Sequence, residues 1–504
     1  MSAARTRRSR SGRASTREKP ADAERRQTQE VERLKRENGR LRDELAKRDR
    51  QIADLERQLA LRQQNSTTSS KPPSSDGLAG RQRERGRRKK SRRKPGGQPG
   101  HPAHGRPLVP FERVNQVIDV FPAACRHCQH ALHARGREVT GESRRHQVTE
   151  LPPIDAHITE YQCPRVVCPA CGKTTQAPLP EDVAGQFGPQ LTALIAYLTV
   201  VCRIPRRLVR ALLEDALHVP ISLGSTQAAW EEASEAVAAP CQELEQALKY
   251  QPVLNGDETG HRTNGEKRWL WAVVAPLFVV YRIATTRAAD VLVALLGDVF
   301  AGVLCSDRWR PYQTYHRGDL QFCWAHFKRN VLGALDLAKT TEAERFCRDA
   351  LALHARLFRL WYRFRGDPAA RGAPLTRAQL IAKVLPLQKQ FFALGERHLD
   401  SRNNDVRNLA TALFAHHEKF FVFVHHEGVE PTNNRAERAL RAAVQWRKIM
   451  FGNRSQDGEF AVARLLTVTR TCQMQQLNAL AYLTAALRAH RRRQAVASLL
   501  PKRP

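Results

Sequence analysis

Three acidic residues have the chemical type and placement that metal-dependent phosphoryl chemistry needs. Asp257 follows the apolar run PVLNG and is read as closing a strand. Asp307 closes a second one, AGVLCSD, and Glu437 lies in the first turns of the helical stretch NNRAERALR. If the two strands are neighbours, their aspartates sit side by side at one sheet edge. Three clustered carboxylates cannot all stay ionised without a cation. Magnesium suits them, being a hard ion that accepts carboxylate oxygens and keeps positions open for phosphate. Two such ions, with manganese as a substitute, would activate a water or hydroxyl and stabilise the leaving oxygen of an in-line displacement. Each acid alone also has a plainer role: a turn residue for Asp257 and Asp307, or the capping-box partner of Asn434 for Glu437. Together, on a strongly basic chain, they favour a nuclease-type site.

A second set of ligand-type residues precedes them. Cys125-x-x-Cys128 and Cys168-x-x-Cys171 are two knuckles whose thiolates can meet as a tetrahedral sulfur site for structural zinc. Cys163 is a spare thiol that could replace Cys168. His127, His130 and His133 are read as surface residues. No open-site His/Glu set accompanies the cysteines, so catalytic zinc is not expected.

The elements that must hold these residues follow from periodicity. Val31, Leu34, Asn38, Leu41, Leu45, Ile52, Leu55 and Leu59 alternate at three and four residues, with Arg48 in one d slot. This is the signature of a parallel coiled coil, and Asn38 at an a position favours a dimer in one register. Residues 187–250 read as helices, either a helix-turn-helix or plain helix packing. From residue 252, PVLNGDET, WLWAVVA and LFVVYRIA read as strands. RAADVLVALLG reads as a helix, AGVLCSD as a buried strand, and LQFCWAHF as a strand running into a helix. That order gives an α/β sheet with mixed pairing. Residues 331–429 read as almost wholly helical.

Charge narrows the partner. The chain has 504 residues, and 83 Lys+Arg against 50 Asp+Glu leave +33, which calls for a polyanion such as nucleic acid. Residues 1–110 hold 31 basic and 13 acidic residues, 31 − 13 = +18. Within them, Arg81 to Arg106 carries 11 basic residues and one acid among Gly and Pro. Arg87, Arg88, Lys89, Lys90, Arg92, Arg93 and Lys94 are its densest part. Such a segment cannot bury apolar area and is expected to track DNA phosphates without sequence preference. Six further basic residues lie near the end (Arg488, Arg491, Arg492, Arg493, Lys502, Arg503). No apolar run reaches the roughly 18 residues of a spanning helix, so no membrane partner is expected. The N-terminal stretch has no apolar core segment, and eleven cysteines are too thin and odd in number for a disulfide scaffold. The expected location is cytoplasmic, in association with the nucleoid.

The ordered motifs NGDETG with WLWAVVA, SDRWRPY, CWAHFKRN, and NNRAERALR with RKIMFGN resemble the bacterial insertion-sequence-66 family of DDE transposases. So does the front half: a leucine-zipper-like helix, NSTTSSKPPSSD, RRKPGGQPGH and a paired-cysteine region. The resemblance covers about residues 30–490. It implies a multidomain chain whose α/β core is ribonuclease-H-like, with an all-helical insertion before the final acid. It carries the metal-binding catalytic triad onto Asp257, Asp307 and Glu437. His326 matches the CWAH motif and is taken, with Asn433, as an auxiliary active-site residue. Asn433 and Arg441 lie one turn either side of Glu437 and share its helical face. They would orient the glutamate or touch phosphate. Arg441 and Lys448 are the DNA contacts expected of this helix. The chain departs from the family in carrying Thr432 where Asp is usual before the two Asn. It also inserts residues in YQCPRVVCPAC, which leaves the zinc ligands open among Cys163, Cys168 and Cys171.

The expected organisation is a disordered basic tail over 1–25, a coiled coil over 26–62 and a basic linker over 63–110. A zinc-binding region (111–186) and a helical DNA-binding region (187–250) follow. The catalytic core takes 251–330 plus 430–490, around a helical insertion at 331–429, with a basic tail at 491–504. The expected function is a transposase that binds element ends as a homo-oligomer, cleaves double-stranded DNA with magnesium and transfers strands to target DNA. Accessory transposition proteins are candidate partners. The alternatives are an inactive zinc-containing DNA-binding regulator on the same core, and an RNA-cleaving ribonuclease, which explains the coiled coil poorly.

Overall fold

Heptad spacing carries a single long helix, α1 (Pro20–Gln63), through its interior Gly39, with Val31, Leu34, Leu41, Leu45, Ile52, Leu55 and Leu59 exposed along it. The computed structural model describes residues 20–63, 107–132, 140–183 and 185–501. The basic arm with Arg87, Arg88, Lys89, Lys90, Arg92, Arg93 and Lys94 lies outside the described residues, as does most of the N-terminal basic tail. Residues 107–183 carry two short antiparallel strands, β1 (Arg165–Val167) and β2 (Thr174–Gln176).

Helical periodicity resumes with α2 (Pro189–Val200), α3 (Arg206–Leu217), α4 (Leu223–Ala236) and α5 (Ala238–Ala247). α3 ends at His218 in the left-handed conformation, and α4 begins on Ser222, whose hydroxyl accepts the Ser225 N–H at 3.0 Å. Ile195, Val209, Leu213, Ile221 and Ala229 form the core of this group.

The sheet comprises β3 (Val253–Thr263), β4 (Glu266–Val274), β5 (Val279–Ala284), β6 (Val303–Ser306) and β7 (Leu320–Phe322), in the order β5-β4-β3-β6-β7. β3, β4 and β5 pair antiparallel. Asn264 and Gly265 turn β3 into β4 with φ of 50° and 82°, the type I′ geometry that Asn-Gly favours. β3–β6 and β6–β7 pair parallel. Parallel neighbours need crossovers, and α6 (Asp290–Leu296) and α7 (Arg310–Tyr315) lie in those connections.

α8 (Trp324–Asp336) leaves the sheet and leads to α9 (Thr341–Phe364), α10 (Arg377–Glu396) and α11 (Asn404–His416). Phe346, Leu353, Leu357, Trp361, Leu380, Val384, Phe391, Leu409 and Leu413 fill the core of these helices. After α12 (Val422–His425), the chain ends in α13 (Asn434–Met450), α14 (Gln456–Met474) and α15 (Ala479–Arg491). Thr467 and Thr471 of α14 accept the outer N–H groups of Tyr281 and Val279 at 3.0 and 3.3 Å. The edge strand β5 is thereby covered.

The described residues fall into two units: α1 with His326–His417, and residues 107–325 with 418–501. The chain is thus a mixed α/β, multidomain protein with a helical C-terminal region. Among the described residues no helix is long and apolar enough to cross a membrane.

Two details differ from the reading of the sequence. Asp257 does not close its strand: β3 continues to Thr263 because the Asn-Gly turn lets GHRT pair with β4. Arg491, read as the start of a basic tail, is instead nearly buried. It forks onto Glu232 at 2.7 and 2.9 Å and donates to the Phe187 carbonyl at 2.9 Å, tying α15 to the α2–α5 group.

Candidate active site

β3 loses its parallel neighbour just where the acids begin. The β3–β6 register ends at Asn255 opposite Cys305, and both chains run on in the same direction to Asp257 and Asp307. Asp307 turns its carboxylate back on its own loop, accepting the Trp309 N–H at 2.8 Å. Asp257 accepts the Glu258 N–H at 3.0 Å. Glu437 stands in the first turn of α13, where the exposed N–H groups favour a carboxylate. Burial pushes the Asp257 carboxyl well above its ordinary range, and the negative charges of Glu258, Asp307 and Glu437 push it further. The three acids singled out from the sequence are therefore brought within electrostatic reach of one another. As hard oxygen donors around one half-buried carboxyl, they fit a hard divalent ion.

Asn433 fixes this arrangement. It is 1% exposed and occupies the N-cap position of α13, but its side chain does not cap the helix. Its Nδ2 donates to the Gly256 carbonyl at 2.7 Å, its Oδ1 accepts from Asn255 Nδ2 at 2.9 Å, and its N–H meets Cys323 Sγ at 3.1 Å. The start of the glutamate's helix is thus pinned to the two residues before Asp257. His326 lies in the first turn of α8. Arg441 and Lys448 are exposed on α13.

The other side of β3 holds a residue missed in the sequence. Glu258 has a side chain 1% exposed, yet it accepts from Arg287 at 2.6 Å and from the Tyr312 hydroxyl at 2.5 Å. Burial raises its carboxyl pKa, against the lowering effect of those two donors. The Arg287 guanidinium lies 4.0 Å from the Trp309 ring centroid and 4.9 Å from that of Trp269. Gly256 is required here, since a Cβ would meet the Tyr312 ring at 2.9 Å. That Gly, two residues before Glu258, was the one available signal. His261 is also buried; desolvation lowers it to about 4, so its ring is neutral at physiological pH.

The cysteine knuckles are each formed as turns. Cys125 N–H bonds the His130 carbonyl and Cys168 N–H the Lys173 carbonyl, at 2.9 and 2.8 Å. Backbone N–H groups of Cys128 and His127 point at the Cys125 sulfur, and those of Ala170 and Cys171 at Cys168. Both thiols are held below their ordinary range by these donors. No three of the sulfurs of Cys125, Cys128, Cys163, Cys168 and Cys171 come within 4.8 Å of one another.

Residues 184–460, which contain the three acids, Asn433 and the whole sheet, match the model of the Transposase IS66 family. The chain belongs to that family. Residues 16–107 match a second model, a family of unknown function (DUF6444) that takes in α1 and the basic stretch after it. Two proteins of Sinorhizobium fredii (strain NBRC 101917 / NGR234) are similar to this chain. The uncharacterized protein y4qI is 26% identical over 242 residues, 44% of this chain and 43% of that protein. The uncharacterized protein y4hP is 24% identical over 410 residues, 75% of this chain and 72% of that protein. The match spans less than half the length of the first of these relatives. The family match begins at α2 and leaves the knuckles outside it.

Proposed function

We propose that this member of the Transposase IS66 family is a DNA transposase that cleaves the ends of its element and joins the freed strands to target DNA. The observation that supports the proposal is that Asp307 and Glu437 lie near enough to Asp257 to raise its carboxyl further, beyond the burial that raises it most. In this reading the β5-β4-β3-β6-β7 sheet with α13 is a ribonuclease-H-like core and α9–α11 are its insertion. Asp257, Asp307 and Glu437 hold two magnesium ions, or manganese in their place. When bound, these ions supply Lewis-acid activation of a water or 3′-hydroxyl and neutralise charge on the scissile phosphate.

The residues of this chain do the positioning. Asn433 keeps Glu437 aligned with Asp257, and the Glu258–Arg287–Tyr312 contacts hold the loop after Asp307 against β3. Arg441, Lys448 and the basic arm bind phosphates, and His326 assists near the start of α8. Cys125 and Cys128, with two of Cys163, Cys168 and Cys171, hold structural zinc. α1 pairs two copies through Val31, Leu34, Asn38, Leu41, Leu45, Ile52, Leu55 and Leu59, and the α2–α5 group contributes to recognising the element's ends. The protein acts in the cytoplasm on nucleoid DNA, with accessory transposition proteins as candidate partners.

The test is magnesium-dependent nicking of a duplex carrying short inverted repeats identified on either side of the gene. Asp257→Asn should lower nicking by about 10³-fold or more, the scale of losing a preorganised group at a reacting centre, and leave DNA binding intact. Undiminished nicking in that variant overturns the triad. Intact binding without nicking by the wild type, under magnesium or manganese, favours the regulator.

A further inference from the structure

At the far end of α13 from Glu437, the backbone does something that its sequence does not favour. Phe451 caps the helix with φ 61° and ψ 20°, the left-handed region that suits Gly or Asn and is unfavourable for an aromatic residue. The side chain gains no packing in return, being 87% exposed. The conformation is nevertheless firmly held. Asn453 N–H donates to the Arg262 carbonyl at 2.9 Å, and Asn264 N–H donates to the Asn453 carbonyl at 2.8 Å. Gly452 permits that approach, since a Cβ would meet the Arg262 carbonyl oxygen at 2.2 Å. The turn after α13 is therefore laced to the β3–β4 hairpin, and it displays one bare ring.

The surroundings select the ligand. Arg262 and Lys267, opposite each other on the hairpin, and Lys448 and Arg454, flanking the turn, are all exposed. Glu266 and Glu459 are engaged by Arg268 at 2.8 and 3.4 Å, and Asp457 is the exposed acid of the next turn. A rigid exposed aromatic among cations is the combination that stacks on a nucleobase while the cations hold phosphates. At 1.5 Å per residue, Phe451 lies roughly 20 Å along α13 from Glu437. For a duplex lying along α13 that is about six base pairs.

We propose that Phe451 is a stacking wedge that unstacks a base of the duplex held at the acidic site, at a distance from the scissile phosphate. This inference rests on the strand-cleavage reading above. The backbone strain and the contact then have one explanation: the left-handed turn aims the ring outward, and binding DNA covers it.

The test uses the full-length protein and that inverted-repeat duplex, with 2-aminopurine placed at successive positions from the cleavage point. Wild type should raise 2-aminopurine fluorescence at one position away from the cut, about six base pairs if the duplex lies along α13. Phe451→Asn should lose that signal and bind about tenfold more weakly, the scale of one stacked base. Its melting temperature should equal or exceed that of wild type, because Asn relaxes the positive φ. Phe451→Trp should keep the signal. An unchanged signal in Phe451→Asn overturns the wedge, and so does a lowered melting temperature, which would make Phe451 a folding contact. A wild type that cuts without any fluorescence change overturns the wedge alone. A wild type that binds but never cuts overturns the cleavage reading, while the fluorescence comparison, which needs only binding, still decides the wedge.

Discussion

Asp257, Asp307 and Glu437 arrive from elements that bury one another, whereas Cys125, Cys128, Cys168 and Cys171 arrive from two turns on a stretch that buries nothing. Among the described residues of 107–183 none is buried, and Val117, Ile118, Val120, Phe121, Val148, Leu151 and Ile158 all face outward. The acids are positioned by a sheet register, by a helix pinned through Asn433 and by the Glu258 contacts. The thiols are positioned only locally, whereas the acids are carried by long-range contacts; in neither set do three ligand atoms lie within 4.8 Å of one another. The contrast separates two ways of making a metal site. In one, on the proposed reading, the apolar core brings the acids near one another and an ion relieves their repulsion. In the other, on the zinc proposal, the ion supplies the assembly that burial does not.

The largest expected effect breaks or upholds that contrast directly. Structural zinc sites of this type contribute about 10–16 kcal/mol of binding that doubles as folding energy. Hydrogen exchange over 107–183 should therefore slow by orders of magnitude when zinc is added to metal-free protein, while β3–β7 barely change. Cys168→Ser should abolish the slowing unless Cys163 replaces it, in which case Cys163→Ser together with Cys168→Ser should. Equal protection with and without zinc would show that the region folds by other means.

A smaller effect is expected at the acidic site. Asn433→Ala leaves Asn255 Nδ2 and the Gly256 carbonyl buried without their partner, at about 1–3 kcal/mol for an orphaned group. For a unit of this size that lowers the melting temperature by about 1–2 °C per kcal/mol. If Asn433 positions the acids, the magnesium concentration needed for half-maximal nicking should also rise. An unshifted magnesium requirement would reduce Asn433 to a packing residue.

How far the sequence reached differs along the same lines. The strands were legible because Val, Ile, Leu and aromatics cluster in short runs, and the helices α9–α11 because their apolar spacing is regular. The continuation of β3 through GHRT was not, since those residues are too polar to read as strand, although the Asn-Gly at 264–265 marked the hairpin. Asn433 was legible as a neighbour of Glu437 but not as a tether to β3, a contact across 177 residues. Glu258 stands beside Asp257 but points away from it, and its partners lie 29 and 54 residues on. No local pattern announces such a cluster. The knuckles were legible in full because a CxxC turn is local, but whether four sulfurs meet depends on distances that spacing does not encode.

The smallest effect is a proton effect, and it sharpens the acid side of the comparison. The folded carboxyl of Asp257 is raised, by burial first and then by Glu258, Asp307 and Glu437. A group raised on folding contributes stability below its unfolded pKa, near 3.9 for Asp, and loses that contribution as pH rises through the folded value. Metal-free protein should therefore forfeit part of its melting temperature as pH rises from mildly acidic toward neutral. On the proposed reading magnesium competes with that proton, so the stabilisation it gives should grow with pH. Asp257→Asn removes the titrating group while keeping its shape, and should flatten both trends relative to wild type. Melting temperatures of the two proteins across pH, with and without magnesium, measure the difference; parallel curves would mean that the acids do not share a cation-binding site.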